Sequence, residues 1–225
     1  VDDILVSRWF EDNEGSMFEV NEVEFTEDFV PLFELEFGPD DRSKLYGTAA
    51  ALENSGMAAL NQLETHMNIE QFNDFWATGA YVGHYDAYPT RSPGDDAHVY
   101  HDLTTDVLHW VPHGMDESFE DPNIDVLGAQ GLVFTRCMEV VWCSEDMVAS
   151  FWDAYERSVE IDFYEFAQAV RLQIMPYVEA DPNNIYSDDD IREWQIYIID
   201  WVRDRRTTLE WQLGAYPGTV DDPFK

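Results

Sequence analysis

The stretch His98-Val-Tyr-His-Asp-Leu-Thr-Thr-Asp-Val-Leu-His-Trp-Val-Pro-His113 holds four of the chain's six histidines, and whether it forms one helix or two strands decides the fold around it. As a helix at about 100° per residue, His98, His101, Asp102, Thr105 and His109 fall in one polar sector, with Val99, Leu103, Val107, Trp110 and Val111 opposite. His98 and His101 could then share an ion, but His109 lies about 12 Å further along the axis. As a hairpin turned by Leu-Thr-Thr, strands near 97–102 and 106–111 would bring His101 and His109 towards each other, with His113 or His84 as a further donor. The candidate metal ligands are therefore His98, His101, Asp102 and His109. The plain alternative is that polar sectors of surface elements collect histidines, more so in a chain with two lysines.

Outward from this stretch the N-terminal side reads as extended chain. Phe33-Glu-Leu-Glu-Phe37 alternates strictly and Met17 to Phe25 is a weaker strand able to pair with it. After Gly38-Pro-Asp-Asp41 the pattern turns helical. Met57, Leu60, Leu63 and Met67 recur at helical spacing, and Asn68 with Gln71 predicts a cap for a helix carrying Ile69, Phe72, Phe75 and Trp76. Residues 83–97 and 112–131 read as loops. Leu132 to Cys143 is nearly continuous apolar sequence, read as a buried strand with a helix as the alternative. Beyond it, Ser144 is expected to cap one helix. A second runs from about Ser158 to Pro176 on the stripe Val159, Phe163, Phe166, Val170 and Ile174. Ser187 and Asp190 open a long last helix that stops at Gly214. The expected fold is α+β and predominantly helical. Its small, mostly antiparallel sheet would combine the N-terminal strands with 132–143, in a single domain over 1–225 with arms at 1–16 and 215–225.

The charge excludes several functions. Forty-seven acidic against twelve basic residues leave a formal net charge of −35, which disfavours direct binding to nucleic acid or anionic membrane. The acids are dispersed, with no run longer than Asp188–Asp190. This composition resembles proteins that work in molar salt, where the Debye length shrinks to about 3 Å. No apolar run approaches a membrane span, so the chain is expected to be soluble, in a high-salt cytoplasm or a virion assembled there. It starts at Val1, which initiator removal or maturation cleavage would explain. Cys137 and Cys143 would sit about 20 Å apart along a strand, and on different faces of a helix, so two free thiols in a reducing interior are expected.

No glycine-rich phosphate loop, Gly-x-Ser-x-Gly or His-Glu-x-x-His occurs, and paired carboxylates carry no signal among so many acids. Arg203, Arg205 and Arg206 form the one basic patch, a candidate interface for an acidic neighbouring subunit. Together these features predict a non-enzymatic structural or assembly subunit of the halophilic kind, working by protein–protein contacts in an oligomer, a virion head, neck or tail component among them. No organic cofactor is expected, and a His-bound divalent metal is allowed. The alternatives are a metal-dependent enzyme using the 98–113 histidines, and an acidic DNA mimic that binds basic proteins.

Overall fold

A computed structural model describes residues 3–214, with side chains from Val6 onward. The decisive stretch is a hairpin: β3 (Ala97–Asp102) and β4 (Val107–Pro112) pair antiparallel, Val99 opposite Trp110. With β1 (Ser16–Val20) and β2 (Glu34–Phe37) they form one antiparallel sheet in the order β2-β1-β3-β4. The two N-terminal strands pair, Phe18 beside Leu35 and Glu19 beside Glu34, but β2 buries no apolar face: Leu35 is exposed, while Phe33 joins the main core and Phe37 packs towards Tyr100 on the other side.

Because side chains alternate along a strand, the sheet has two dissimilar faces. Phe18, Val20, Ala97, Val99, Leu108 and Trp110 point into the main core. Around Trp110 the rings of Tyr88 and Phe75 stack at 4.8 and 5.1 Å. The other face carries Met17, Glu19, His98, Tyr100, His109 and Val111. It is partly covered by α1 (Asp3–Trp9) and the residue after it, with Val6 and Phe10 packed around Tyr100.

The helices α2 (Ser43–Leu52), α3 (Gly56–Leu63), α4 (Ile69–Tyr81), α5 (Leu132–Met138) and α6 (Val141–Glu160) build on the core face. Asn68 caps α4 by accepting from the Gln71 amide at 3.0 Å, as its sequence predicts. The Gln71 side chain then takes over the outer edge of β4: its amide donates to the Trp110 carbonyl and its oxygen accepts from the Trp110 N–H, both at 2.7 Å. A sheet edge that would otherwise invite another strand is thereby closed.

Residues 132–143 are not a strand, so the sheet is built from the N-terminal strands and the hairpin. The segment forms α5 and the start of α6, broken at Glu139–Val140. Val133, Phe134 and Cys137 face the core while Arg136 bonds the Leu52 carbonyl and Glu139 outside. Continuous apolar sequence fitted a strand equally well, but the polar pair Arg136 and Glu139 needs a helical side. The break also overturns the expectation of free thiols. It folds the chain back so that Cys137 and Cys143 lie 5.1 Å apart at Cα and form a disulfide, which removes the support they gave to a reducing interior.

Ser144 falls inside the first turn of α6, not at its cap, and α7 (Phe163–Ala180) continues through Pro176 instead of ending there. No residue of α7 is buried, so its apolar stripe, with Phe166 and Val170, faces out. The last helix, α8 (Asp188–Gly214), opens on Ser187 and Asp190, which cap each other reciprocally. Its C-terminal half is buried through Trp201, Val202, Leu209 and Leu213, whereas Trp194 is exposed. Of the expected arms, 3–9 are helix α1 and 215–225 lie outside the described residues. No helix of the described residues is long and apolar enough to cross a membrane.

Candidate active site

The loops that flank the hairpin are held by buried polar anchors. Arg205 of α8, fully buried, donates to the carbonyls of Ala80 and Tyr81 at the end of α4 and to those of Pro122 and Ile124. Four carbonyls, two of them from a helix terminus, thus converge on one guanidinium; Ala80 also accepts from the Gly83 N–H and Ile124 from the Gln212 amide. Immediately beyond, the Phe119 N–H reaches the Val82 carbonyl and the Tyr85 N–H the Glu117 carbonyl, laying 82–86 beside 117–119. Gly83, at φ +66°, passes so close to Trp201 that a Cβ would sit 2.6 Å from its ring. Glu24, buried, accepts from the Phe25 and Leu132 N–H groups and from the Tyr88 and Ser92 hydroxyls, fixing loop 83–96 against α5.

These anchors gather acids at one end of the hairpin. Asp95 and Asp96 directly precede β3, and Asp116 and Glu117 follow β4 in the short 3-10 turn Met115–Glu117. Asp86 joins them from the 82–86 segment. Asp96 holds a left-handed backbone at φ +49°, and a Cβ on Gly114 (φ +60°) would lie 2.1 Å from its Oδ1. Only glycine lets the chain leaving β4 run against this carboxylate, and strain of this kind persists where surrounding structure enforces it.

Electrostatics record the crowding. Burial, then Asp95, Asp86 and Asp116, raise the Asp96 carboxyl above its usual range, against the pull of His84. Glu117 is raised by its hydrogen bond and charge contact with Asp86. The cation among them is Arg91, 2.9 Å from Asp95 and 3.5 Å from Asp86. His84 is 3% exposed, its Nδ1 has no hydrogen-bond partner, and its Nε2 lies 3.4 Å from the His113 carbonyl.

His84 and Asp96 line a cleft of about 230 Å³ whose walls include Phe75, Pro112 and Met115. Asp86, Asp95 and Asp116 thus act on Asp96 as a concentration of negative charge beside the cleft, and oxygen donors of this type are those a hard divalent cation such as Mg²⁺ takes. A wider groove of about 620 Å³ between α4 and α6 is rimmed by Glu64, Glu70, Asp74, Asp146 and Asp153, all exposed.

The histidines and arginines singled out in the sequence go to separate places. The hairpin is offset by one residue from the pairing of His101 with His109: His101 faces Leu108 and His109 faces Tyr100, so the two point to opposite faces. His101 meets Asp106 at 3.1 Å and Asp41 at 4.0 Å. His109 meets the Thr105 hydroxyl at 3.0 Å and Asp102 at 3.9 Å. His98 lies instead with His113, ring centroids 4.2 Å apart.

Arg205 is used wholly inside the chain and Arg206 bonds the Ser158 carbonyl, which removes them from a free basic patch. Arg203 is exposed and pairs with Asp200 and Asp204. The carboxylate site was missed because nothing distinguishes five acids among forty-seven. The available signal was positional: a closed hairpin brings its two outer ends together, and here both ends carry a pair of acids.

An α+β chain whose hairpin ends and neighbouring loop gather acids beside a cleft defines a class of protein with a built polar site. The chain belongs to the family described as CotH kinase protein, whose profile matches residues 8–209. No curated protein matches the chain. The family overturns the reading as a halophilic assembly subunit or virion component, which rested on composition and on the absence of familiar catalytic motifs.

Proposed function

We propose that the chain is a phosphotransferase, moving the terminal phosphoryl group of a nucleoside triphosphate to a hydroxyl acceptor at the carboxylate cluster. The family description supports the reaction class. The observation that carries the location is Asp96, which lines the cleft with buried His84 and on which the charges of Asp95, Asp86 and Asp116 converge.

Asp86, Asp96 and Asp116 are the groups assigned to hold a divalent cation. When bound, that cation supplies charge neutralisation and orientation for the triphosphate. It matters more here than in most such sites, because the chain has no glycine-rich phosphate loop and its two lysines are Lys44, paired with Asp106, and Lys225. Arg91, forked between Asp86 and Asp95, is placed to meet phosphate oxygens. Glu117, which holds its proton to a higher pH than an ordinary carboxylate, is the group assigned to accept the acceptor hydroxyl's proton.

Transfer of labelled terminal phosphate to protein or peptide hydroxyls, with Mg²⁺ or Mn²⁺, tests the reading. The wild-type chain transfers label, and Asp96→Asn loses at least about 100-fold. Undiminished transfer in Asp96→Asn and Asp116→Asn would reject the assignment.

A further inference from the structure

On the face of the sheet turned away from the main core lies a second cluster that the phosphotransfer reading does not use. Glu19 of β1 and His98 of β3 are directly opposed in the antiparallel register, and His113 follows the end of β4. The carboxylate oxygen of Glu19 and a ring nitrogen from each histidine lie within 4.8 Å of one another. The closest measured pair is His113 Nε2 to Glu19 Oε1 at 3.7 Å.

Ligand atoms at about 2.0–2.1 Å around a tetrahedral ion are about 3.4 Å apart. The cluster therefore needs only a modest contraction, which half-exposed His113 can supply. His98 cannot yield as easily: it is 1% exposed, and its Nδ1 is buried with no hydrogen-bond partner. Such a group in a native interior calls for an explanation. Glu34 and Glu36 stand close enough to raise the Glu19 carboxyl, after burial, so the surroundings are short of positive charge.

We propose that Glu19, His98 and His113 bind one divalent transition-metal ion of the zinc type, joining β1, β3 and the exit of β4. Two imidazoles select a borderline-soft ion over Mg²⁺ or Ca²⁺, and three protein ligands leave a position for water. The site differs from the neighbouring carboxylate cluster in ligand type, and it stands or falls without the phosphotransfer reading.

The test is zinc content and affinity of the full chain, stripped with chelator and re-equilibrated with Zn²⁺ in excess Mg²⁺ so that surface carboxylates are occupied. Co²⁺ provides a second probe through its visible bands. Wild type should bind one Zn²⁺ per chain and give a four-coordinate Co²⁺ spectrum. Glu19→Gln and His113→Ala, both at partly exposed positions, should keep the metal-free melting temperature and lose at least about 10- to 100-fold in affinity. His101→Ala and His109→Ala should bind like wild type. Absence of stoichiometric Zn²⁺, or equal binding by the Glu19 and His113 variants, would overturn the proposal.

Discussion

Arg205 ties two segments to the last helix, because its one guanidinium reaches four carbonyls and those of Tyr81 and Pro122 lean on it most. Burial lowers its pKa to about 10, leaving it charged at neutral pH. Replacing it with methionine fills some of the volume and strands the acceptors, so we expect a loss of about 3 kcal/mol or more in urea unfolding. Arg205→Lys should recover little, since an ammonium lacks the fork that reaches all four.

A second residue-scale prediction concerns protons. Burial depresses the His109 pKa below 6.5, with Asp102 pulling in the opposite direction. The unfolded chain therefore takes up this proton first as the pH falls, and the contribution of neutral His109 to stability is full above 6.5 and fades below it. Unfolding free energies of wild type and His109→Gln, measured across that window, should diverge above it and converge towards acid.

At the scale of elements, legibility followed how many physical constraints each segment carried. The Asn68 cap and the Ser187–Asp190 pair were readable because capping needs particular side chains at fixed spacing. The strand character of β2 was readable from alternation, but its expected buried face was not realised, since Leu35 is exposed. Residues 132–143 were not, because apolar continuity is common to a buried strand and a buried helix, and the disulfide followed from a break that no proline or glycine announces. The hairpin was readable as one of two options, but a one-residue shift in register separated His101 from His109 and joined His98 to His113.

Helices α7 and α8 show the limit of periodicity as a guide to burial. Phe166, on the stripe expected to be buried, is 56% exposed and off-stripe Leu172 is 71% exposed, whereas Trp201 is 1% exposed. Leu172→Ser should change stability by no more than about 0.5 kcal/mol, and Trp201→Ala should cost about 3–5 kcal/mol. Thermal and urea unfolding of the two variants would check the contrast.

For the whole molecule, the net charge of −35 and the site have to be considered together. Dispersed acids say how the surface interacts with salt, and for that reason they concealed the few acids that converge. Composition was silent on the chemistry, so a chain read as an assembly subunit proved to belong to the family described as CotH kinase protein. The fold makes the difference by closing a hairpin whose ends carry Asp95, Asp96, Asp116 and Glu117. It also sets Asp96 against Gly114 and, with buried His84, along the cleft. The most direct measurement is cation-dependent transfer of labelled terminal phosphate by the wild-type chain and by Asp96→Asn, each with Mg²⁺ and with chelator. The account predicts label transfer by wild type that chelator abolishes and that Asp96→Asn reduces by at least about 100-fold; transfer that survives both would contradict it.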